Sequence, residues 1–341
     1  MLTELALYNT SPSVPRKWAS DFDQSLVNSL HKQQGGVAEW SNAPVLKTGV
    51  PQGTVGSNPT SSASFPFYCK YLSLSVTESY LARFSGIARL YGMPALESFC
   101  AAKVTIIGVG GVGCWVAEAL ARSGVGTITL VDLDDLCVTN INRQLHALET
   151  SVGQSKAKVM AARLSQINPE IEVHVRQEFF RAETADDILT KAGDYVIDAI
   201  DSIKAKCLLL ALCREKGIPV ITSGGAGGRI RVDKIETADL SRTHGCALLL
   251  QVRKNLRADY QFPRGGKKAK KFGIEAVFSS EEPRYPTEDG CVSKKRPDEV
   301  PAGIRCDAGY GTSTPIIGSF GFAIANAVLE QLSSKKHSEK D

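Results

Sequence analysis

The stretch from Lys103 to Asp132, KVTIIGVGGVGCWVAEALARSGVGTITLVD, constrains the chain more than any other. Val104 to Ile107 is a short apolar, β-branched run, the pattern of a strand buried in a parallel sheet. Gly108, Gly110 and Gly113 follow in G-x-G-x-x-G spacing, with an extra glycine at Gly111. Val112 to Arg122 has helical periodicity, and Thr127 to Val131 is a second β-rich run closed by Asp132. Together they make one βαβ unit. Its glycines permit a tight turn and let backbone N–H groups approach a phosphate at the helix N-terminus. Asp132 comes 19 residues after Gly113, where a carboxylate can accept from ribose hydroxyls. The pattern predicts nucleotide binding and leaves a dinucleotide cofactor and ATP both open; a Rossmann-like unit that binds nothing is the competing reading.

The segments around this unit extend it. Glu78 to Phe99 carries two helix-like pieces separated near Gly92-Met93-Pro94. The pair is expected beside the nucleotide site, with Arg83 and Arg89 as phosphate contacts or as solvated helix-face arginines. After Asp132, the acids Asp134 and Asp135 crowd the same strand edge, and Asn140, Arg143 and Gln144 follow in a polar loop. Lys156 opens a helix that Asn168-Pro169 ends. Glu172 to Arg176 alternates as a third strand, a helix end follows at Ile188 to Ala192, and Tyr195 to Ile200 is a buried strand with Asp201 at its C-terminal end. Lys204 to Lys216 is helical and Pro219 to Thr222 is a further strand. This alternation predicts an α/β fold, a doubly wound, mostly parallel sheet. Beyond Arg229 the pattern is mixed α+β: a β segment at Arg231–Asp239, a helix at Leu248–Leu256, a glycine-basic loop at Arg264–Lys271, a strand at Glu275–Ser279 and a small-residue apolar helix at Pro315–Leu332, read as a core or dimer helix.

Composition sets limits. Hydrophobic content of 43% and a net charge of +4 suit a soluble globular protein and name no partner. The nine cysteines form no C-x-x-C pair, which argues against structural zinc on two such pairs. No run of 18 apolar residues occurs, so no stable membrane insertion is expected. Residues 1–76 are rich in Ser, Pro, Asn, Gly and Gln without a sustained period and read as a disordered or spurious extension. Within them Gly56-Ser57-Asn58-Pro59 back-translates to GGT TCG AAT CCC, the T-arm sequence of many tRNA genes. The hypothesis is conceptual translation through a tRNA gene upstream of the true start. Peptides from residues 35–63 in the natively expressed protein would sink it. Globular sequence is expected over 77–333, as a nucleotide-binding half (77–230) and a substrate half (231–333), with a tail at 334–341.

With Asn140-Ile141-Asn142-Arg143-Gln144, Lys156 behind it and Asp198-Ala199-Ile200-Asp201 at the next strand edge, the chain resembles the ubiquitin-activating-enzyme-like adenylyltransferases. RFSGIARLYG, LCVTNINRQLHAL, YVIDAIDS, TSGGAGG and GSFGF are most similar to the branch that acts on a threonylcarbamoyl-modified adenosine of tRNA. The resemblance covers about residues 77–333. It implies ATP in place of a nicotinamide cofactor, with Mg²⁺ and a monovalent cation, Na⁺ or K⁺, in attendance. It implies that Gly108, Gly110, Gly111 and Gly113 cradle the phosphates, that Asp132 and Asp134 serve the ribose edge, and that Asn140, Arg143, Lys156 and Arg83 hold the triphosphate. It makes Arg143, Lys156 and Asp201 the catalytic set, with Asp201 on the metal. Asp198, inside the apolar strand, caps or orients a neighbour. The implied reaction is adenylation of a carboxylate, cyclisation to a hydantoin and release of AMP and pyrophosphate.

The implied partners are tRNA, a second copy of the chain and a cysteine-desulfurase sulfur-transfer system, in a bacterial cytoplasmic setting that leaves peripheral membrane association open. Many relatives carry a second arginine three residues after the first in the N-terminal motif; here that position is Gly86, and Arg89 is a candidate substitute. Relatives that activate carrier proteins often carry C-x-x-C pairs, absent here. Three functions are weighed: the tRNA enzyme, an adenylyltransferase acting on the C-terminus of a sulfur-carrier protein, and a non-catalytic nucleotide-binding scaffold. The cations Arg264, Lys267, Lys268, Lys270 and Lys271, with Arg253, Lys254 and Arg257 nearby, favour RNA over a protein tail. The competing reading of that loop is a solvated surface.

Overall fold

A computed structural model of the chain describes residues 76–265, 270–295 and 311–334. Helices α1 (Glu78–Tyr91) and α2 (Met93–Ala101) lead into β1 (Lys103–Ile107), α3 (Gly111–Arg122) and β2 (Thr127–Val131). Next come α4 (Lys156–Ile167), β3 (Glu172–Arg176), α5 (Ala182–Thr190), β4 (Tyr195–Asp198), α6 (Ile203–Lys216) and β5 (Val220–Ser223). The C-terminal part adds β6 (Ile235–Asp239), α7 (Ala247–Asp259), β7 (Glu275–Ser279), the small hairpin β8 (Tyr285–Pro286) and β9 (Val292–Ser293), and α8 (Thr314–Ser334). Seven strands form one sheet in the order β3-β2-β1-β4-β5-β7-β6. All neighbours are parallel except β6, which runs antiparallel to β7.

The central strands are apolar because both faces are covered. β4 and β5 are buried at every position, while β3 at the edge is half exposed. Strand order reverses between β1 and β4, and that reversal opens a crevice at their C-terminal ends. The α/β, mostly parallel sheet expected from the sequence is present. The strand expected over Tyr195–Ile200 stops at Asp198, opposite Ile107 at the end of β1 and Thr222 one residue before the end of β5. Arg231–Asp239 is a single 3-10 turn, Val232–Lys234, followed by β6. β7 pairs with β5, so the sheet continues without interruption across residue 230.

α8 is a core helix. Ile316, Phe320, Ile324 and Val328 are fully buried on one stripe. It lies against α3 so closely that a Cβ on Gly321 would sit 2.6 Å from the Trp115 Cβ and 3.1 Å from the Val112 carbonyl oxygen. Among the described residues it is the one helix long and apolar enough to cross a membrane, and 61% of its apolar window is buried inside the protein.

The α1–α2 pair departs from expectation. Thr77 caps α1 by accepting from the Tyr80 amide, and the Tyr80 hydroxyl donates to the Gly124 carbonyl. Gly124 lies past the C-terminal end of α3, so the pair docks where the strands begin. A helix of 12 residues spans about 18 Å, so this dock is a helix length away from the glycine loop. The physical reason is apolar: Tyr80, Leu81, Phe84 and Leu96 form a buried cluster of their own there.

Candidate active site

The glycine loop joins β1 to α3 at the crevice. The Gly108 amide donates to the Val131 carbonyl at 2.9 Å. Its φ of +93° and a missing Cβ, which would meet the Ala199 carbonyl oxygen at 2.7 Å, exclude other residues. A Cβ on Gly113 would lie 1.9 Å from the Gly108 oxygen, so this glycine lets helix and loop touch. Gly110 is the N-cap of α3 and offers no side-chain cap, and the nearest atom to its absent Cβ is Gln144 Nε2 at 3.9 Å. The first-turn amides of α3 therefore have no side chain capping them, an arrangement that favours an anion there.

Asp132 is held by two backbone amides. Its Oδ2 accepts from the Val109 amide at 2.6 Å and its Oδ1 from the Asp134 amide at 2.9 Å. Burial raises its pKa, against the opposing pull of those amides and of Lys156. The carboxylate expected on a ribose thus also fastens the glycine loop, and each of its oxygens keeps a lone pair for a further donor. Asp134 offers the freer group: its side chain is 51% exposed, and Oδ2 meets Lys156 Nζ at 2.8 Å. Backbone pairing brings these two together, with the Lys156 amide on the Asp134 carbonyl at 3.0 Å beside a bridge between Asp135 and Ser155. Lys156 begins α4 behind its N-cap Ser155 and is buried, where the sequence alone allows a surface lysine.

The loop between β2 and α4 turns on Asn140. Its Oδ1 accepts from the Cys137 amide at 3.0 Å, and its carbonyl accepts from the amides of Arg143 and Gln144. Arg143 is anchored through its carbonyl, which accepts from Trp115 Nε1 on α3 at 3.1 Å. Its guanidinium donates to the Thr139 carbonyl at 2.7 Å and to Asn142 Oδ1 at 3.1 Å. Gln144 is buried and its Oε1 has no protein partner, an unsatisfied acceptor beside the glycine loop. His146, also buried, has neither ring nitrogen partnered. Burial, with Lys156 and Arg163 nearby, lowers its pKa to about 4. The N-terminus of α8 closes this side: Thr314 Oγ1 donates to the Asn142 carbonyl at 2.7 Å, and Ile317 lies against Gly111.

On the β4 side the chain leaves through Asp198-Ala199-Ile200-Asp201. Asp201 is exposed, directly before the α6 N-cap Ser202. Asp198 is 0% exposed; Oδ2 accepts from Lys206 Nζ at 2.8 Å and Thr222 Oγ1 at 2.7 Å, and Oδ1 accepts from the Ile200 amide at 3.1 Å. It orients neighbours, as the sequence suggests. Sequence reasoning gave Lys206 no role. The signal was its spacing, since Lys206 shares a helical stripe with Leu209, Leu210 and Cys213, all buried. Among the described residues no three His, Cys, Asp or Glu groups converge as a metal cluster. The geometry of this crevice suits an anion of several phosphates: orphan amides in the middle, Lys156 and Arg143 to one side, a free carboxylate to the other.

Other expected residues lie elsewhere. Arg83 folds back onto Ser79 of its own helix, at the far end of α3, and is not brought to this site. In the basic loop Arg264, Lys270 and Lys271 are exposed, while Lys267 and Lys268 lie outside the described residues. Lys270 and Lys271 precede β7 and so lie at the N-terminal edge of the strands, opposite the crevice. Lys271 there lines a cleft of about 340 Å³ with Tyr195, Pro219 and Glu275. Arg253 is buried on Thr243, and Arg257 lies 5.2 Å over the Phe272 ring, so neither is a free phosphate contact.

Comparison with known proteins matches residues 84–340 to the ThiF family. The chain is 43% identical over 265 residues to the tRNA threonylcarbamoyladenosine dehydratase of Escherichia coli (strain K12), covering 77% of this chain and 98% of that protein. It is 45% identical over 260 residues to the same-named enzyme of Haemophilus influenzae, covering 76% and 96%. The crystal structure of the E. coli enzyme in complex with ATP superposes with a TM-score of 0.67 at 39% identity, over 78% of this chain and 99% of that one.

Proposed function

The chain belongs to the ThiF family, and from that premise we propose that it uses ATP to dehydrate threonylcarbamoyladenosine in tRNA to the cyclic hydantoin. The observation that carries this reading is the uncapped start of α3 set between Lys156 and the Asp201 turn. It supports a triphosphate lying across the switch point. A nicotinamide enzyme needs a hydride-acceptor site and does not require the fixed Asn140–Arg143 pair with Lys156.

The α3 amides and Lys156 hold the phosphates, and Asp132, with Asp134 beside it, takes the ribose. Arg143 leaves its local acceptors to reach the triphosphate. The threonylcarbamoyl carboxylate attacks the α-phosphorus, the bond to the β-phosphate oxygen breaks, and pyrophosphate leaves. Positive charge from Arg143 and Lys156 compensates the charge that builds on the phosphoryl oxygens. A urea nitrogen of the same side chain then attacks the activated carbonyl, loses its proton, and AMP departs with the former carboxylate oxygen. Ring closure is intramolecular, so no enzyme nucleophile is required. One exposed carboxylate, phosphate oxygens and water form a donor set that fits Mg²⁺, and Asp201 would hold it. When bound, the ion neutralises phosphate charge.

Homodimerisation and a cytoplasmic setting belong to the same proposal. Arg83 lies a helix length from its own glycine loop, so only a second copy would bring it to a phosphate. The sulfur-carrier alternative has less support: the chain has no C-x-x-C pair. The deciding assay is AMP release with bulk tRNA against candidate carrier proteins. AMP release with tRNA alone supports the proposal; release only with a carrier protein overturns it.

A further inference from the structure

We propose that Lys206 is a positioning residue for the adenylation step, acting through Asp198 to fix the turn that carries Asp201. The inference rests on the functional reading above. Lys206, Asp198 and Thr222 form a closed ring: Lys206 Nζ is 2.8 Å from Asp198 Oδ2 and 3.0 Å from Thr222 Oγ1, and the Thr222 hydroxyl donates to the same Oδ2 at 2.7 Å. All three residues are 0% exposed. The ring joins three elements, because Asp198 ends β4, Thr222 lies beside it on β5, and Lys206 sits in the first turn of α6.

Between Asp198 and Ser202 runs the turn with Asp201. Asp198 pins its start through the Ile200 amide. Lys206 pins its end, because its own amide bonds the Ser202 carbonyl at 2.9 Å while its ammonium reaches back to Asp198. The turn also bears on the glycine loop: the Ala199 amide donates to the Ile107 carbonyl at 2.9 Å, and the Ala199 carbonyl lies where a Gly108 Cβ would be. Loosening the ring thus shifts both the Asp201 carboxylate and the floor under Gly108.

Stability alone does not account for the ring. Taking an ammonium and a carboxylate out of water costs several kcal/mol per ion, and well-packed apolar residues in their place are often neutral or stabilising. The neighbours of Lys206 on its stripe, Leu209, Leu210 and Cys213, show that the site accepts apolar groups. What the ion pair supplies and a leucine cannot is a fixed distance between a strand end and a helix start, across a catalytic turn.

The test uses the full chain, with AMP release on bulk tRNA and thermal melting read in parallel. Lys206→Met should lower kcat about tenfold or more and change the KM for tRNA less than about twofold. The double variant Asp198→Leu with Lys206→Met removes the buried charges together. It should melt within about 5 °C of wild type while kcat stays down about tenfold. If kcat recovers along with the melting temperature, the ring is merely structural and the inference fails. Should neither variant fold, Thr222→Val removes one hydroxyl at near-constant volume; a drop in kcat of about threefold at constant tRNA KM is expected, and a wild-type kcat overturns the role. A wild-type chain that releases no AMP overturns the functional reading, and this inference with it.

Discussion

Lys156 and Asp201 flank the glycine loop, the lysine after β2 and the acid after β4, with β1 between them. Asp201→Ala should cut AMP formation more than about tenfold, because compensation of phosphate charge through a metal is worth several kcal/mol. Its melting temperature should hold, since the carboxylate is exposed; activity above about a tenth of wild type would reject the assignment. His146 gives a pH prediction. Its pKa is lowered to about 4 in the folded chain by burial and by Lys156 and Arg163, against about 6.5 when unfolded. The unfolded chain therefore binds the extra proton first as pH falls, so stability drains between about pH 6.5 and 4. In melts across that window His146→Phe should show a slope shallower by about one proton; an unchanged slope assigns the acid sensitivity elsewhere. At this scale the sequence named most of the crevice but not the state of each group. Motif spacing brings Asp132 to the right strand end, yet does not show that its carboxylate also accepts from two backbone amides. That depends on local turn geometry. Lys206 was missed for a different reason: a charged residue in a helix reads as solvated until a buried partner 8 residues away is seen.

Among elements, the βαβ unit was legible almost to the residue, because glycine spacing, β-branched runs and helical period agree there. The α1–α2 pair was legible as two helices and misplaced in space. Nothing in an amphipathic stripe says which end of a neighbouring helix it covers. The contact between α3 and α8 offers a sharp test. Gly321→Ala gains up to about 1 kcal/mol of helix propensity. Overpacking against Trp115 Cβ and the Val112 carbonyl costs about 1–3 kcal/mol, and neither atom is the end of a flexible side chain that can swing away. The cost should win, and the variant should melt several degrees below wild type. An unchanged or raised melting point would show that α8 moves off α3 at little expense.

For the whole molecule, Lys270 and Lys271 of the basic loop and the crevice lie at opposite edges of one sheet, and tRNA is large enough to engage both. Changing Arg264, Lys267, Lys268, Lys270 and Lys271 together to Ala should raise the tRNA KM and flatten its salt dependence by up to about one unit of slope per lost phosphate contact. The KM for ATP should hold, because that site lies across the sheet. An unaltered salt slope would make the loop a solvated surface; a raised ATP KM would tie it to the nucleotide. The doubly wound sheet was expected from the alternation of elements. Its continuation through β7 and β6 was not, since strand pairing between distant segments leaves little trace in composition. Some two hundred residues separate the glycine loop from Ile317, which lies against Gly111. Closing contacts so distant along the chain costs loop entropy that local contacts do not. The phosphate cradle is therefore backed by the far end of the chain: a polypeptide that lacks α8 has Gly111 without Ile317 behind it and one face of the sheet without its cover.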